Sequence, residues 1–191
     1  TAHWTNNAEI TGASLEINEP ADIYALARIL GNTGTEEDYQ RFGYTKSEDN
    51  LSKLQQASYV LKKDIALDDQ NGAFYGIPNF KGTFDGQNKM ITVKFDLRGT
   101  WNTTTRFGCL FASKNVNFTG TLTGTVNVTA GLQDVAVVAG YTSNGATIQN
   151  VTTNVTMDLN FSTTTTGTCV YVGALVGRAH GGADKLVGCV N

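Results

Sequence analysis

The sequence predicts a mainly β chain wound as a parallel solenoid, with one α-helix covering its N-terminal end. Three observations predict it. First, "RFGCLFA" (106–112), "AVVAGYT" (136–142) and "YVGALVGR" (171–178) are alike: small or glycine positions set among large aliphatics. Each is followed by a polar turn and a second strand-like run, "KNVNFTGTL", "GATIQNVTT" and "DKLVGCVN". Second, aligning Cys109, Ala139 and Ala174 spaces the units 30 and 35 residues apart, the interval of a stacked repeat whose loops vary in length. Third, a single helical stripe, Ile23, Leu26, Ala27 and Leu30, precedes all of them. A β-sandwich is the competing arrangement and favours Asn-Gly hairpin turns. Only Asn71-Gly72 and Asn144-Gly145 offer these, so the repeats favour the solenoid.

In chain order, "ASLEIN" alternates as a short strand. "PADIYALARIL" is the helix. Asn18 or Glu19 can cap it, Pro20 suits its first turn and Gly31 can end it. "EEDYQRFGYTKSEDN" is polar and reads as a long loop, and "NLSKLQQ" as a helical turn. "SYVLKKDIAL" reads as a strand with Tyr59, Leu61, Ile65 and Leu67 on one side, and "DDQNG" as a turn. In "FKGTFDGQNKMI" (80–91), Gly82 and Asp85-Gly86 allow a sharp corner, because glycine tolerates positive φ. Cys109, Leu110, Val137, Ala139, Leu175 and Val176 are the expected interior of the repeats. Charge concentrates in residues 1–78 and Thr, Gly, Asn and Val in 79–191. The expected organisation is one domain over 1–191, with 1–78 as N-terminal cap and first strands and 79–191 as repeats.

The order "PADIYALARIL", "YVLKKDIAL", "FKGTFDGQNKMITV", "FGCLFA", "YVGALVGR" resembles the GLUG-repeat, pectate-lyase-like β-helix domains of bacterial surface proteins, some of which accompany IgA-protease-type peptidases. The resemblance spans residues 15–191 and is most specific in "FKGTFDGQNKMI". "FGCLFA" and "VVAGYT" depart from the repeat pattern, and Ala66 stands where an acidic residue is common. The resemblance implies a right-handed parallel β-helix, a cell-surface or secreted location, and repeats that serve as scaffold without catalytic residues. "KLVGCVN" stops where the preceding repeat carries on, so further repeats are expected beyond Asn191.

A net charge of −3 and the absence of a basic run argue against nucleic acid, which needs clustered Lys and Arg. No apolar stretch approaches the ~18–20 residues of a membrane span, so no membrane insertion is expected from this segment. The sequence lacks a G-x-S-x-G nucleophile elbow and a Gly-Lys-Ser/Thr phosphate loop, and no cofactor is expected. Neither His3 nor His180 sits within metal-ligand spacing of another His or Cys. Cys109, Cys169 and Cys189 read as buried thiols, or as one free thiol beside a Cys169–Cys189 disulfide.

The candidate metal ligands are Asp64, Asp68, Asp69 and Asn71, oxygen donors gathered about one turn that a hard cation could use and that solvent could equally occupy. Asp96, Arg98, Arg106 and Lys114 are the residues that could share an outward face in a carbohydrate-active β-helix. The Thr runs at 119–129 and 162–168 suit exposed strand positions, and alternate Thr could form stacked ladders.

The function expected is therefore a non-catalytic, adhesin-like surface module, not an enzyme. Its partners would be a host glycan or protein, or neighbouring domains of the same chain. The alternatives are a carbohydrate-active β-helix, acting as lyase or hydrolase, and an accessory domain of a large secreted peptidase.

Overall fold

A computed structural model describes residues 14–98, 106–114, 117–128, 134–143, 145–160, 171–180 and 183–191, with backbone only at 113, 114 and 117. The described chain is mainly β, and every strand pair in it is parallel. The N-terminal elements are β1 (Leu15–Ile17), α1 (Pro20–Leu30), α2 (Glu36–Gln40), α3 (Glu48–Gln56), β2 (Ser58–Leu61) and β3 (Ile65–Asp68). Then come β4 (Thr83–Leu97), β5 (Arg106–Gly108), β6 (Phe111–Lys114), β7 (Asn117–Val128), β8 (Asp134–Ala136) and β9 (Ala139–Ser143). The last four are β10 (Thr147–Leu159), β11 (Tyr171–Gly173), β12 (Val176–His180) and β13 (Lys185–Val187).

The main sheet runs β1-β2-β4-β7-β10-β13, with β3 also paired to β4. A second sheet runs β11-β8-β5 and a third β12-β9-β6. From β4 onward the chain therefore visits the main, second and third sheets in turn and repeats that order. Parallel register stacks like positions. Phe84, Phe118, Ile148 and Leu186 form one row of the main sheet, and Phe107, Val135 and Val172 one row of the second.

Helix α1 forms as its sequence signals dictate. Glu19 is the N-cap, with Asp22 Oδ2 accepting from Glu19 N at 3.1 Å, and Pro20 occupies the first turn. Gly31 ends the helix at φ −86°, and the left-handed residue is the next one, Asn32 at φ 62°. Bonds from Asn32 N to Ile29 O and Thr33 N to Arg28 O complete a Schellman closure, with Asn in the place glycine more often takes. Ile23, Leu26 and Leu30 are buried, and α1 packs on β1 and β3, the strands at the N-terminal edge of the main sheet. Edge strands covered in this way cannot pair with foreign chains.

Residues 36–50, read as a loop, instead hold α2 and the start of α3. Each helix has a capping residue that polarity alone conceals. Thr35 Oγ1 accepts from Asp38 N at 3.3 Å while Asp38 Oδ2 accepts from Thr35 N at 2.9 Å. Ser47 Oγ accepts from Asn50 N at 3.1 Å. "SYVLKKDIAL" is likewise two strands rather than one, broken at 62–64, although Tyr59, Leu61, Ile65 and Leu67 are all buried as the alternation requires.

The repeat alignment needs correcting. Arg106 pairs with Asp134 and Asp134 with Tyr171, offsets of 28 and 37 residues, so Phe111 and Val176, not Cys109 and Ala174, are the counterparts of Ala139. The error was two residues, which preserves the face in a strand of period two. Cys109, Leu110, Val137 and Ala139 are accordingly buried as expected. Leu175 and Val176 are only half-buried, because among the described residues β11 and β12 have a strand neighbour on one side only.

The corner at "FKGTFDGQNKMI" also differs from expectation. The positive φ falls on Gln87 (49°), not on Gly82 or Gly86. These glycines answer to proximity: a Cβ on Gly86 would lie 2.7 Å from Thr119 O, and one on Gly82 would overlap Ala57 O. Strand β4 is continuous through the corner but shifts register against β7 between Asp85 and Met90.

Two interior aromatic stacks follow the N-terminal rows. Phe80 lies 4.8 Å from Phe111, and Phe111 and Phe84 are each 5.8 Å from Phe118. Phe74, Phe95 and Phe107 follow one another at 6.0 and 5.1 Å. Such pairs add about 0.5–1.5 kcal/mol each beyond their area.

Candidate functional site

The turn after β3 places Asp68, Asp69, Gln70 and Asn71 beside Lys94 and Asp96 of β4 around a concavity of about 270 Å³. The Asp68 and Asp69 carboxylates cap backbone N–H groups. Asp68 Oδ1 accepts from Gln70 N at 2.9 Å, Asp69 Oδ1 from Asn71 N at 3.0 Å and Asp69 Oδ2 from Asp96 N at 3.2 Å. Asp64 lies apart, accepting from Met90 N at 2.9 Å across the corner. The structure thus gathers Asp68, Asp69 and Asn71 but not Asp64. Among the described residues no three His, Cys, Asp or Glu groups converge as a metal ligand set.

The proposed outward face is also divided. Asp96 and Arg98 form an exposed pair at 2.7 Å at the end of β4, and the Arg98 guanidinium holds the Asp96 carboxyl below its ordinary value. Arg106 belongs to a different sheet and a different partner. The side chain of Lys114, with His3 and Cys169, lies outside the described residues. Cys109 is fully buried and burial pushes its thiol far up, whereas Cys189 is half-buried with Sγ 3.5 Å from Ile148 O.

A second cluster escaped the sequence reading. It forms where the second and third sheets meet. Gly140 and Gly177 make that junction close: a Cβ on Gly140 would lie 2.7–2.9 Å from the Phe107 backbone, and one on Gly177 2.9 Å from Val135 N. Just outside this seam, Arg106, Asp134 and Tyr171 form one register row of the second sheet, and Tyr141 and Arg178 pair in the third.

Asp134 is completely buried. Its Oδ2 accepts from Arg106 Nε at 3.2 Å and from Arg178 Nη2 at 3.0 Å. Both guanidiniums stack on Tyr141, Arg106 Cζ at 3.8 Å from the ring centroid and Arg178 Cζ at 4.9 Å. Arg178 also lies 4.9 Å from the Tyr171 ring, and His180 stacks on Tyr141 at 6.1 Å.

Burial pushes the Asp134 carboxyl up, and the two guanidiniums pull against it. Two buried atoms of the cluster, Asp134 Oδ1 and Arg178 Nε, have no partner among the described residues. Each such atom costs about 1–3 kcal/mol, so the cluster is not the most stable filling of this seam. Chemically it is a fixed pair of planar cations sharing one buried counter-charge, with aromatic rings around them.

The signal for this cluster was present in the sequence. Aligned at offsets of 28 and 37, Arg106, Asp134 and Tyr171 fall in one column and Tyr141 and Arg178 in another. The two-residue slip set Arg106 against Ala136 and dissolved the pattern. A scan of protein-family models, a search of curated proteins and a search of solved structures each found no match to this chain.

Proposed function

We propose that the chain is a right-handed parallel β-helix module of the GLUG-repeat kind, acting as a non-catalytic, adhesin-like binding surface outside the cell or on its face. One observation carries this reading: the chain returns through three parallel sheets in the same order, with like residues in register. A parallel stack of that kind is quasi-one-dimensional, so each added repeat lengthens a rigid face of fixed side-chain spacing. The outward rows of the main sheet, such as Thr92–Thr123–Asn154 and Lys94–Thr125–Thr156, are short, polar and closely spaced, suited to recognition through many modest contacts. Partners under this reading are glycans or proteins of another surface, or adjoining domains of the same polypeptide.

The test pairs binding with turnover. Labelled protein is applied to a glycan array and to intact cells, and the same preparation is assayed against polygalacturonate and related polymers. Binding without bond cleavage is the expected result. Cleavage that Asp96→Asn or Arg98→Gln abolishes would move the chain to the carbohydrate-active class.

A further inference from the structure

We propose that Arg106, Arg178, Tyr141 and Tyr171, organised by Asp134, form a binding site for a carboxylate-bearing sugar unit; this rests on the reading of the chain as a binding module and names its ligand class. Four features point there. The first is charge. Two guanidiniums share a single buried carboxylate, which leaves the trio one net positive charge, matched to one anionic group. Polyanions such as nucleic acid fit poorly, because the chain carries −3 overall and no basic run extends the patch.

The second is donor supply. Arg106 meets Asp134 through Nε and Arg178 through Nη2, so among the described residues the two Nη groups of Arg106 and Nη1 of Arg178 remain for another acceptor. Both side chains reach solvent, 31% and 23% exposed. The third is rigidity. Stacking on Tyr141 and the Asp134 anchor fix the guanidinium planes before any ligand arrives, which is what two-point recognition of a carboxylate needs.

The fourth is the rim. Tyr171 is 39% exposed beside Arg178, and His180 is exposed beside Tyr141. Flat aromatic surfaces next to a cationic fork accept the C–H face of a pyranose while the fork takes its acid group. A peptide carboxylate would use the fork and leave the rings idle.

The test is calorimetric titration of the 191-residue chain with trigalacturonate and with 3′-sialyllactose. The controls are galactotriose, lactose and triglutamate. At least one acidic sugar should bind, ten-fold or more tighter than its neutral counterpart and than triglutamate. Arg106→Gln and Arg178→Gln should each weaken it ten-fold or more. Arg106→Lys, which keeps charge but loses the fork, and Tyr171→Ala should weaken it several-fold. These last two are mild changes at part-exposed positions and decide the matter if the glutamine variants fail to fold.

The assignment is overturned if neither acidic sugar binds, if neutral sugar or triglutamate binds as well, or if Arg106→Lys and Tyr171→Ala both bind like wild type. Overturning it while the array still shows binding elsewhere leaves the adhesive reading intact. Turnover of trigalacturonate would sink that reading even with this site confirmed.

Discussion

Leu186 and Phe118 occupy the same row of the same sheet, yet Phe118 is 2% exposed and Leu186 57%. The second sheet repeats the contrast, with Phe107 and Val135 fully buried and Val172 at 47%. Residue type does not explain this, because all are large and apolar. Position in the stack does. β7 lies between β4 and β10, β8 lies between β5 and β11, and β5 has β8 on one side and the 75–77 segment on the other, Tyr75 O accepting from Gly108 N, whereas β11, β12 and β13 have a described strand on one side only. Burial in a parallel stack is thus conferred by the next layer of chain, strand or loop, and these rows show the same side-chain pattern with and without a described one.

The largest effect that would test this contrast is at the covered end. Leu26→Asp replaces a fully buried leucine with a charge. It forfeits about 1.5–3 kcal/mol of apolar burial and adds the cost of desolvating a carboxylate. A loss above about 4 kcal/mol is expected, roughly 10 °C or more in Tm. An unchanged Tm by circular dichroism would remove α1 as the cover of the stack.

Next is the row itself. Phe118→Ala should cost about 3–5 kcal/mol, because the cavity lies between Phe84 and Phe111. Leu186→Ala should cost under about 1 kcal/mol. Equal losses in urea denaturation would show that the two ends are buried alike in solution.

A smaller effect is pH-dependent. Burial alone would raise the Asp38 carboxyl, but Arg28 and the Thr35 donors outweigh it and hold it below its ordinary value. A depressed carboxyl stabilises the fold above its unfolded pKa of about 4 and loses that contribution as pH falls through the folded value. Stability measured from pH 6 to pH 2 should therefore fall more steeply in wild type than in Asp38→Asn. Parallel curves would show that the Arg28–Asp38 pair does not hold the α1–α2 end together.

The smallest effect is at β13. Val187→Thr, at a residue 49% exposed, should change stability by no more than about 0.5 kcal/mol. A drop of several degrees in Tm would mean that something covers β13 in solution.

Much of this architecture could be read from residues. The α1 stripe, the alternation of Tyr59, Leu61, Ile65 and Leu67, and the glycine-bearing repeats are all local periodicities, and local periodicity survives folding. Helix α2 and the start of α3 were read as loop because their signals are single capping side chains, Thr35 and Ser47, in polar surroundings that also describe a loop, whereas "NLSKLQQ" was read as helical and lies in α3. The Arg106–Asp134–Arg178 cluster was missed for a different reason. Its members are neighbours only through strand register, and register depends on loop lengths that repeat patterns leave free by two residues. The turn acids show the converse: Asp68, Asp69 and Asn71 did come together, but sequence proximity could not tell that backbone N–H groups would claim the Asp68 and Asp69 oxygens.

The register shift at the main-sheet corner has an engineering consequence. Between the buried row Tyr59, Phe84, Phe118, Ile148 and the row Ile65, Ile91, Leu122, Thr153, successive strands use five residues (60–64), six (85–90), three (119–121) and four (149–152). Pairing resumes on the far side each time. Contour length is therefore decoupled from registry at this corner, and the molecule already tolerates a two-fold variation there. A foreign peptide grafted between Gln87 and Asn88, both exposed, would be displayed on the longest of these bends while the strands on either side kept their partners.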